Sequence, residues 1–309
     1  MDNITLDELV RKYLSHCKFE KNLDAKTIKA YRIDLTQFSE FTRGTGGAWN
    51  RETIQAYIAA LHGQYKVKSV KRKVASLKAF FSFLEYEELI DDTPFSKLHI
   101  NLHEPFLLPR TIPLSTIDVL LKCAYRHKAA ADMNRYQYRA ILRDIAVLEL
   151  LFATGMRVSE LCFLRPETVD LEERTIKIHG KGSKERIIQI CNENVLSAVS
   201  AYATAFADKI QASGWFFVNR LGHRLSDQSV RFMIQKYSDL AGVHLHITPH
   251  MFRHSFATLL LEEDVDIRYI QQLLGHSSIV TTQIYTHVTS KKQRDILTTK
   301  HPRNKITTL

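Results

Sequence analysis

Residues 250–258 read His-Met-Phe-Arg-His-Ser-Phe-Ala-Thr, and they directly follow Thr248-Pro249. Proline is favoured in the first turn of a helix, so a helix is predicted to start here. His250 and Arg253 are then spaced i, i+3 and share one face of that helix. Backbone N–H groups and the helix dipole at such a start also favour an anion. The stretch therefore predicts a helix that presents a histidine and an arginine to a negatively charged group.

Three further stretches carry the same kinds of side chain. Residues 153–161 read Ala-Thr-Gly-Met-Arg-Val-Ser-Glu-Leu, residues 179–184 read His-Gly-Lys-Gly-Ser-Lys, and Leu-Gly-His276 precedes Tyr285. Each stretch alone is explained as well by a surface ion pair, a solvated turn or a half-buried aromatic. Together they supply what phosphodiester transfer needs, namely positive charge for the phosphate oxygens, an attacking oxygen and a proton donor. Since no cluster of acidic metal ligands accompanies them, the set predicts chemistry without a metal or other cofactor.

Size, charge and cysteine content narrow the class of protein. The 309 residues suffice for two domains, and no apolar run is long enough to span a membrane. The acidic N-terminus does not resemble a secretory signal. A net charge of +10 favours a polyanionic partner such as DNA. The four cysteines are scattered, so we expect buried thiols in a protein of the reducing cytoplasm.

Three prolines in residues 101–113 predict a linker between two domains. Residues 1–100 have the pattern of four short amphipathic helices, the first starting at a Thr5-x-x-Glu8 capping box and the last capped by Ser69. Residues 114–309 form the second domain. The sequence thus predicts a mainly α protein of two domains.

The second domain carries the signals for β-structure. Residues 175–179 and 185–190 flank a glycine-bearing turn and predict a β-hairpin with Lys181 at its tip. Residues 215–218, Trp-Phe-Phe-Val, are predicted as a further strand. Everything beyond Asp227 has a helical pattern.

A basic run marks the start of the fourth helix. Between residues 66 and 78 it holds six basic side chains and no acidic one, namely Lys66, Lys68, Lys71, Arg72, Lys73 and Lys78. Such a run is usually a solvated helix face, but its uncompensated charge favours a surface that follows DNA phosphates. Lys184, beside the hairpin tip, is a further candidate for DNA contact.

These stretches resemble the motifs of the tyrosine recombinase or phage integrase family, and specifically of its Xer-type branch. Residues 153–161 are similar to the first arginine box, 180–186 to the lysine hairpin and 250–258 to the second arginine box. Residues 274–276 and 285–288 are similar to the third box. The resemblance covers nearly the whole chain. It implies a helical SAM-like core-binding domain followed by a mostly α catalytic domain with a small antiparallel β-sheet.

The resemblance also implies how the phosphate is handled. Tyr285 would attack the scissile phosphate and form a 3′-phosphotyrosyl link that frees a 5′-hydroxyl. Arg157 and Arg253 would clamp the phosphate, and His276 would hydrogen-bond to it. The 5′-hydroxyl of a partner strand would then reverse the reaction, so that neither ATP nor a metal is needed.

Proton transfer and support fall to three other residues in the same resemblance. Lys181 would protonate the leaving 5′-oxygen, and His250 would assist proton transfer at Tyr285. Glu160 is similar to the acidic residue that supports the active site without contacting the phosphate.

The implied partner is double-stranded DNA with a pseudo-palindromic site, because symmetric protomers impose matching half-sites. The family acts as a tetramer on DNA through a Holliday junction, formed by one recombinase or by two different ones. An accessory protein is a further candidate partner. Residues from about 290 to 309 would dock on a neighbouring protomer.

The sequence is compatible with more than one biological role. The same set of residues would serve resolution of chromosome or plasmid dimers as well as integration and excision of a mobile element. The segment 122–142 is longer than usual for the Xer-type branch and has no assigned role. The alternatives are a type IB topoisomerase-like enzyme that relaxes DNA and a non-catalytic, architectural DNA-binding protein.

Overall fold

The computed structural model describes most of the chain, namely residues 5–44, 49–96, 98–103, 110–129, 135–179 and 185–275. The chain divides into two compact units, residues 1–106 and 107–309. The division into two mainly helical domains is as predicted, while the linker boundaries at 101 and 113 stay predictions. None of the helices in the described ranges is long and apolar enough to cross a membrane.

The described part of the first unit contains four helices, α1 (Leu6–Phe19), α2 (Ala25–Gly44), α3 (Arg51–Gln64) and α4 (Val67–Tyr86). The predicted capping box starts α1, since the Thr5 N–H donates to Glu8 Oε2 at 2.8 Å and the Glu8 N–H donates to Thr5 Oγ1 at 3.4 Å. Aromatic and aliphatic side chains of all four helices bury one another in a single core. The unit therefore has a core of its own, as its apolar spacing predicts.

The prediction that Ser69 caps α4 is wrong. The helix starts at Val67, and Lys66 is its N-cap without a side-chain hydrogen bond. Backbone N–H groups of Ser69 and Val70 instead donate to the Lys66 carbonyl at 2.8 and 3.1 Å. The basic run thus begins at the helix start and continues along its first turns.

The second unit contains seven helices in its described part, namely α5 (Leu114–Ala129), α6 (Arg135–Thr154), α7 (Val158–Cys162), α8 (Glu193–Ser213), α9 (Asp227–Leu240), α10 (Pro249–Glu262) and α11 (Ile267–Leu274). Helix α6 is central and packs against α5, α8 and α10. Its inner side chains, such as Leu148 and Leu151, have no exposed surface. The end of α6 is therefore held firmly where the first arginine box begins.

A small antiparallel sheet covers part of this unit, with strands β1 (Val169–Asp170), β2 (Thr175–His179) and β3 (Glu185–Gln189) in that order. The predicted hairpin is present as β2 and β3. The predicted strand at 215–218 is wrong, since only Val218 forms a bridge, to Arg224. The hydroxyl of buried Tyr202 donates to the Phe216 carbonyl and accepts from the Val218 N–H. A side chain thus satisfies backbone groups that a neighbouring strand would otherwise pair.

The four cysteines differ in exposure. Cys17 and Cys162 are buried and Cys123 is half-buried, but Cys191 is exposed just beyond β3. The expectation that all four are buried is therefore wrong for Cys191. Its position in the loop between β3 and α8 removes it from the apolar face of the strand.

Candidate active site

The first arginine box forms a tight turn after α6. Gly155 adopts a left-handed conformation with φ of +58°, and a Cβ there would lie 2.6 Å from Phe256 Cδ1. The turn delivers Arg157 to the N-cap of α7. The Arg157 side chain remains 36% exposed, so its guanidinium is accessible while its backbone is anchored. A glycine at 155 is needed for both the conformation and the close packing.

Glu160 fixes this arginine from the next turn of chain. Arg157 donates its backbone N–H to Glu160 Oε2 at 2.8 Å and its Nη1 to Glu160 Oε1 at 2.6 Å. Burial by itself would raise the pKa of Glu160, whose side chain is 6% exposed, but hydrogen bonds and charge from Arg186 and Arg157 outweigh it and lower the pKa. Glu160 is therefore a carboxylate at neutral pH, saturated with donors and unsuited to act as a base.

Arg186 on β3 is the second partner of Glu160, and the sequence analysis missed it. Its Nη1 and Nη2 donate to Glu160 Oε1 and Oε2 at 3.1 and 2.7 Å, and its Nε donates to the Leu273 carbonyl at 2.9 Å. The alternating pattern of β3 could have predicted that Arg186 faces the core, because Arg186 and buried Ile188 are two residues apart and share a face of the strand. An arginine on the core-facing side of a strand requires a buried partner.

Arg253, from the second arginine box, ties the turn to the end of α11. It is 5% exposed, and its Nη1 and Nη2 donate to the carbonyls of Gly155 at 2.8 Å and Leu274 at 2.7 Å. Pro249 starts α10 as predicted and places Arg253 one turn into the helix. The two predicted arginines are thus joined through the short turn 155–157.

His250 lies on the first turn of α10, beside these arginines. Loss of hydration lowers its pKa, and the positive charges of Arg231, Arg253 and Arg157 lower it further, while Asp227 acts in the opposite direction. The three cations surround a histidine that is exposed on the surface of α10. His250 is therefore neutral near pH 7 and able to accept a proton. Arg231, on α9, is a further cation that the sequence analysis did not single out.

The structure thus brings together four of the predicted site residues, Arg157, Glu160, His250 and Arg253, and adds Arg186 and Arg231. Lys181, Lys184, His276 and Tyr285 lie outside the described residues. Gly275, the left-handed C-cap of α11, is the last described residue and directly precedes His276.

The basic run of the first unit lies mostly on the surface of α4. Lys66, Lys68, Lys71 and Lys78 are exposed, and Arg72 is exposed although it pairs with Asp34. These five residues are named here the α4 basic face.

Lys73 does not belong to this face. Its side chain is 3% exposed, and its amine donates to buried Asp34 at 3.0 Å and contacts Gln37. Asp34 also accepts from Ser76 at 2.8 Å. Because Lys73 neutralises a carboxylate in the core, the prediction that it contacts DNA is corrected.

The fold and the clustered arginines, histidine and carboxylate define a class of phosphodiester-processing enzymes, and comparisons with known proteins specify it. Residues 124–292 match the model of the phage integrase family, and residues 10–88 match the N-terminal SAM-like domain of phage integrases. The chain belongs to the phage integrase family.

The relatives agree over nearly the full length. A tyrosine recombinase of Agathobacter rectalis is 53% identical over 295 residues, which cover 95% of this chain and 96% of the relative. The tyrosine recombinase XerC of Thermodesulfovibrio yellowstonii is 35% identical, with 96% and 97% covered. The crystal structure of the XerH site-specific recombinase bound to a palindromic difH substrate has a TM-score of 0.75 at 21% identity, covering 96% of this chain and 84% of that one. The chain is accordingly a tyrosine-type site-specific recombinase.

Proposed function

We propose that this recombinase cuts and rejoins DNA at a specific site with Tyr285 as nucleophile and the two arginines as phosphate clamp. The observation that carries the proposal is the convergence of Arg157, Arg253 and His250. The Gly155 carbonyl links Arg253 to the turn that ends at Arg157, and both arginines lie near enough to lower the pKa of His250. Guanidiniums bind phosphate oxygens through paired N–H donors, so this cluster suits a phosphodiester.

The reaction then proceeds by exchange of one ester bond for another. Tyr285 Oη forms a bond to phosphorus while the bond from phosphorus to the 5′-oxygen breaks, which leaves a 3′-phosphotyrosyl link. Arg157, Arg253 and His276 stabilise the charge that develops on the non-bridging oxygens. Attack by the 5′-hydroxyl of another strand reverses these steps and yields a Holliday junction. The number of phosphodiester bonds is unchanged, so no ATP is consumed.

Two protons must move in each step. Neutral His250 accepts a proton released at Tyr285, and its lowered pKa supports this role. Lys181 donates a proton to the leaving 5′-oxygen. Glu160 takes no part in proton transfer, because its oxygens already accept four hydrogen bonds from Arg157 and Arg186.

The α4 basic face and Lys184 are proposed to follow the DNA backbone. Lys68 and Arg72 are spaced i, i+4, so two basic side chains share one exposed stripe of α4 that can follow phosphates. Structures of related recombinases on DNA support a DNA partner and assembly of several protomers. We propose a tetramer, of one recombinase or two, on a pseudo-palindromic site. Residues from about 290 to 309 would join neighbouring protomers, and an accessory protein would regulate the assembly.

The biological setting follows from the substrate. Resolution of chromosome or plasmid dimers and movement of a mobile element both act on DNA in the cytoplasm, where we place the enzyme. A relaxing enzyme of the topoisomerase type is not favoured, because the SAM-like domain and the named relatives belong to recombinases. An architectural protein without activity is not favoured either, because all the residues that the chemistry needs are present in the sequence.

The test is capture of covalent protein–DNA adducts. Full-length protein is incubated in excess EDTA with pooled native genomic fragments, denatured in SDS, and the adducts are isolated and their DNA ends sequenced. Tyr285→Phe is the inactive variant. Tyr269→Phe is the matched control, since Tyr269 is 64% exposed on α11 and has no assigned role.

Three outcomes separate the proposals. Adducts from wild type and Tyr269→Phe but not from Tyr285→Phe establish the tyrosine intermediate, and recurrent ends give the site. Adducts that persist in Tyr285→Phe contradict the choice of nucleophile. Specific DNA retention without any adduct, also with a Xer-type partner recombinase added, supports the architectural protein instead.

A further inference from the structure

Arg186 is almost wholly buried, with 10% of its side chain exposed. Its Nη1 and Nη2 donate to the two oxygens of Glu160, and its Nε donates to the Leu273 carbonyl. All three of its nitrogens therefore bind the protein itself. A guanidinium held in this way is not placed to grip a substrate phosphate.

Glu160 is shared between two arginines. Each of its oxygens accepts one hydrogen bond from Arg157 and one from Arg186. In the described part of the chain, the side chain of Arg157 forms one hydrogen bond to protein, through Nη1. Arg186 thus takes up half of the carboxylate, and Arg157 keeps its other donors for a ligand. Without Arg186, the carboxylate would be left to Arg157 alone and would bind it more tightly.

The other contact of Arg186 is with the end of α11. The carbonyls of Leu273 and Leu274 lie at the C-terminal end of α11, where among the described residues no helix N–H reaches them. They accept hydrogen bonds from Arg186 and Arg253 instead. Gly275 follows in a left-handed conformation, and a Cβ there would lie 2.9 Å from Arg186 Nη1. Arg186 therefore packs against the point at which the chain leaves α11 towards His276.

We propose that Arg186 is a positioning residue that holds Arg157, through Glu160, in register with the C-terminal end of α11. One guanidinium joins the two sides of the site, the turn that carries the first phosphate clamp and the helix that precedes His276. The inference rests on the proposed function, because it is the phosphate that Arg157 is positioned to meet.

The first arm of the test needs no DNA. Phenylglyoxal modifies accessible guanidiniums, and mass spectrometry of the Arg157 peptide gives its rate in full-length wild type, Arg186→Met and Arg186→Lys. We expect Arg157 to react several-fold more slowly in Arg186→Met, because Glu160 then binds it alone. Arg143→Met is the matched control, since Arg143 is 17% exposed, pairs with buried Asp144 and lies about 16 Å before the C-terminal end of α6. An unchanged rate at Arg157 in Arg186→Met overturns the inference whether or not the protein recombines DNA.

The second arm measures single-turnover adduct formation on the captured site at saturating protein, together with DNA affinity. Misplacement of a phosphate clamp by about 1 Å costs about 100-fold in rate. We expect Arg186→Met to lose activity on that scale with the DNA dissociation constant unchanged, and Arg186→Lys to recover part of it. Lysine restores the charge but not the paired donors.

This arm distinguishes failure of the positioning role from failure of the proposed function. If the wild type forms no adduct, the proposed function is contradicted, and the phenylglyoxal labelling alone then tests the role of Arg186. A wild-type rate in Arg186→Met contradicts the positioning role. Equal losses of DNA affinity and adduct rate, together with a lower melting temperature, show that Arg186 contributes only to stability. This outcome also contradicts the positioning role.

Discussion

Replacement of Gly155 by alanine tests how tightly the first arginine box is built. With φ of +58° an alanine is strained, at a cost of about 1–2 kcal/mol. Its Cβ would also lie 2.6 Å from Phe256 Cδ1 and 3.0 Å from Leu274 Cδ2. Both contacts involve packed side chains, and relief of such overpacking costs about 1–3 kcal/mol. Gly155→Ala is therefore expected to lower the free energy of unfolding by about 2–5 kcal/mol.

Gly242→Ala separates the two contributions. Gly242 has nearly the same φ, +64°, but its Cβ would meet nothing within 4 Å, so it shows the backbone cost alone. The assay is urea unfolding followed by tryptophan fluorescence. In a Trp49→Phe background, Trp215 is the sole tryptophan and reports on the second unit.

The decisive quantity is the difference in free energy of unfolding between Gly155→Ala and Gly242→Ala. We expect Gly155→Ala to be less stable than Gly242→Ala by about 1–3 kcal/mol. It should also form adducts more slowly, because the displaced Gly155 carbonyl no longer meets Arg253 Nη1. Equal stabilities would refute the claim that close packing at Gly155 fixes the turn.

Further predictions follow from other parts of the chain. Lys73→Gln should lower the free energy of unfolding by about 3 kcal/mol, because buried Asp34 loses a cation, whereas Lys68→Gln should leave urea unfolding unchanged. Lys68→Gln should instead reduce the slope of log affinity against log salt by about 0.9, and a slope equal to wild type removes Lys68 from the α4 basic face. Burial, with His250 and Arg253, lowers the pKa of His254 to about 4, so stability is complete above about pH 6.5 and falls towards pH 4 by at most about 1.4 kcal/mol per pH unit. His254→Gln should flatten that decline in a pH series of urea midpoints. Adduct formation should persist in excess EDTA, and loss that Mg²⁺ restores would contradict a metal-free site.

Local pattern was sufficient for much of the site. The Thr248-Pro249 start predicted the helix that carries His250 and Arg253. That prediction rests on helix geometry within a few residues. The same reasoning could not predict partners that are distant in sequence. Lys73 is buried because Asp34 lies opposite it, 39 residues away in sequence, and nothing in the basic run reveals that carboxylate.

The strand predicted at 215–218 failed for a related reason. Its apolar residues are buried as a strand would be, but the hydroxyl of Tyr202 on α8 takes the hydrogen bonds of Phe216 and Val218. Burial follows from composition, whereas the partner of a backbone group depends on the tertiary fold.

The described site carries an excess of positive charge that suits its proposed substrate. Arg157, Arg186, Arg231 and Arg253 are opposed by the carboxylates of Glu160 and Asp227. Carbonyls at the end of α11 and at Gly155 offset part of the remaining repulsion, because Arg186 and Arg253 donate to them. A phosphodiester gains negative charge as it is attacked, so an arrangement that is overcharged before the substrate binds stabilises the transition state more than the ground state. The contacts that hold the arginines apart in the free protein are therefore part of how the site would lower the barrier.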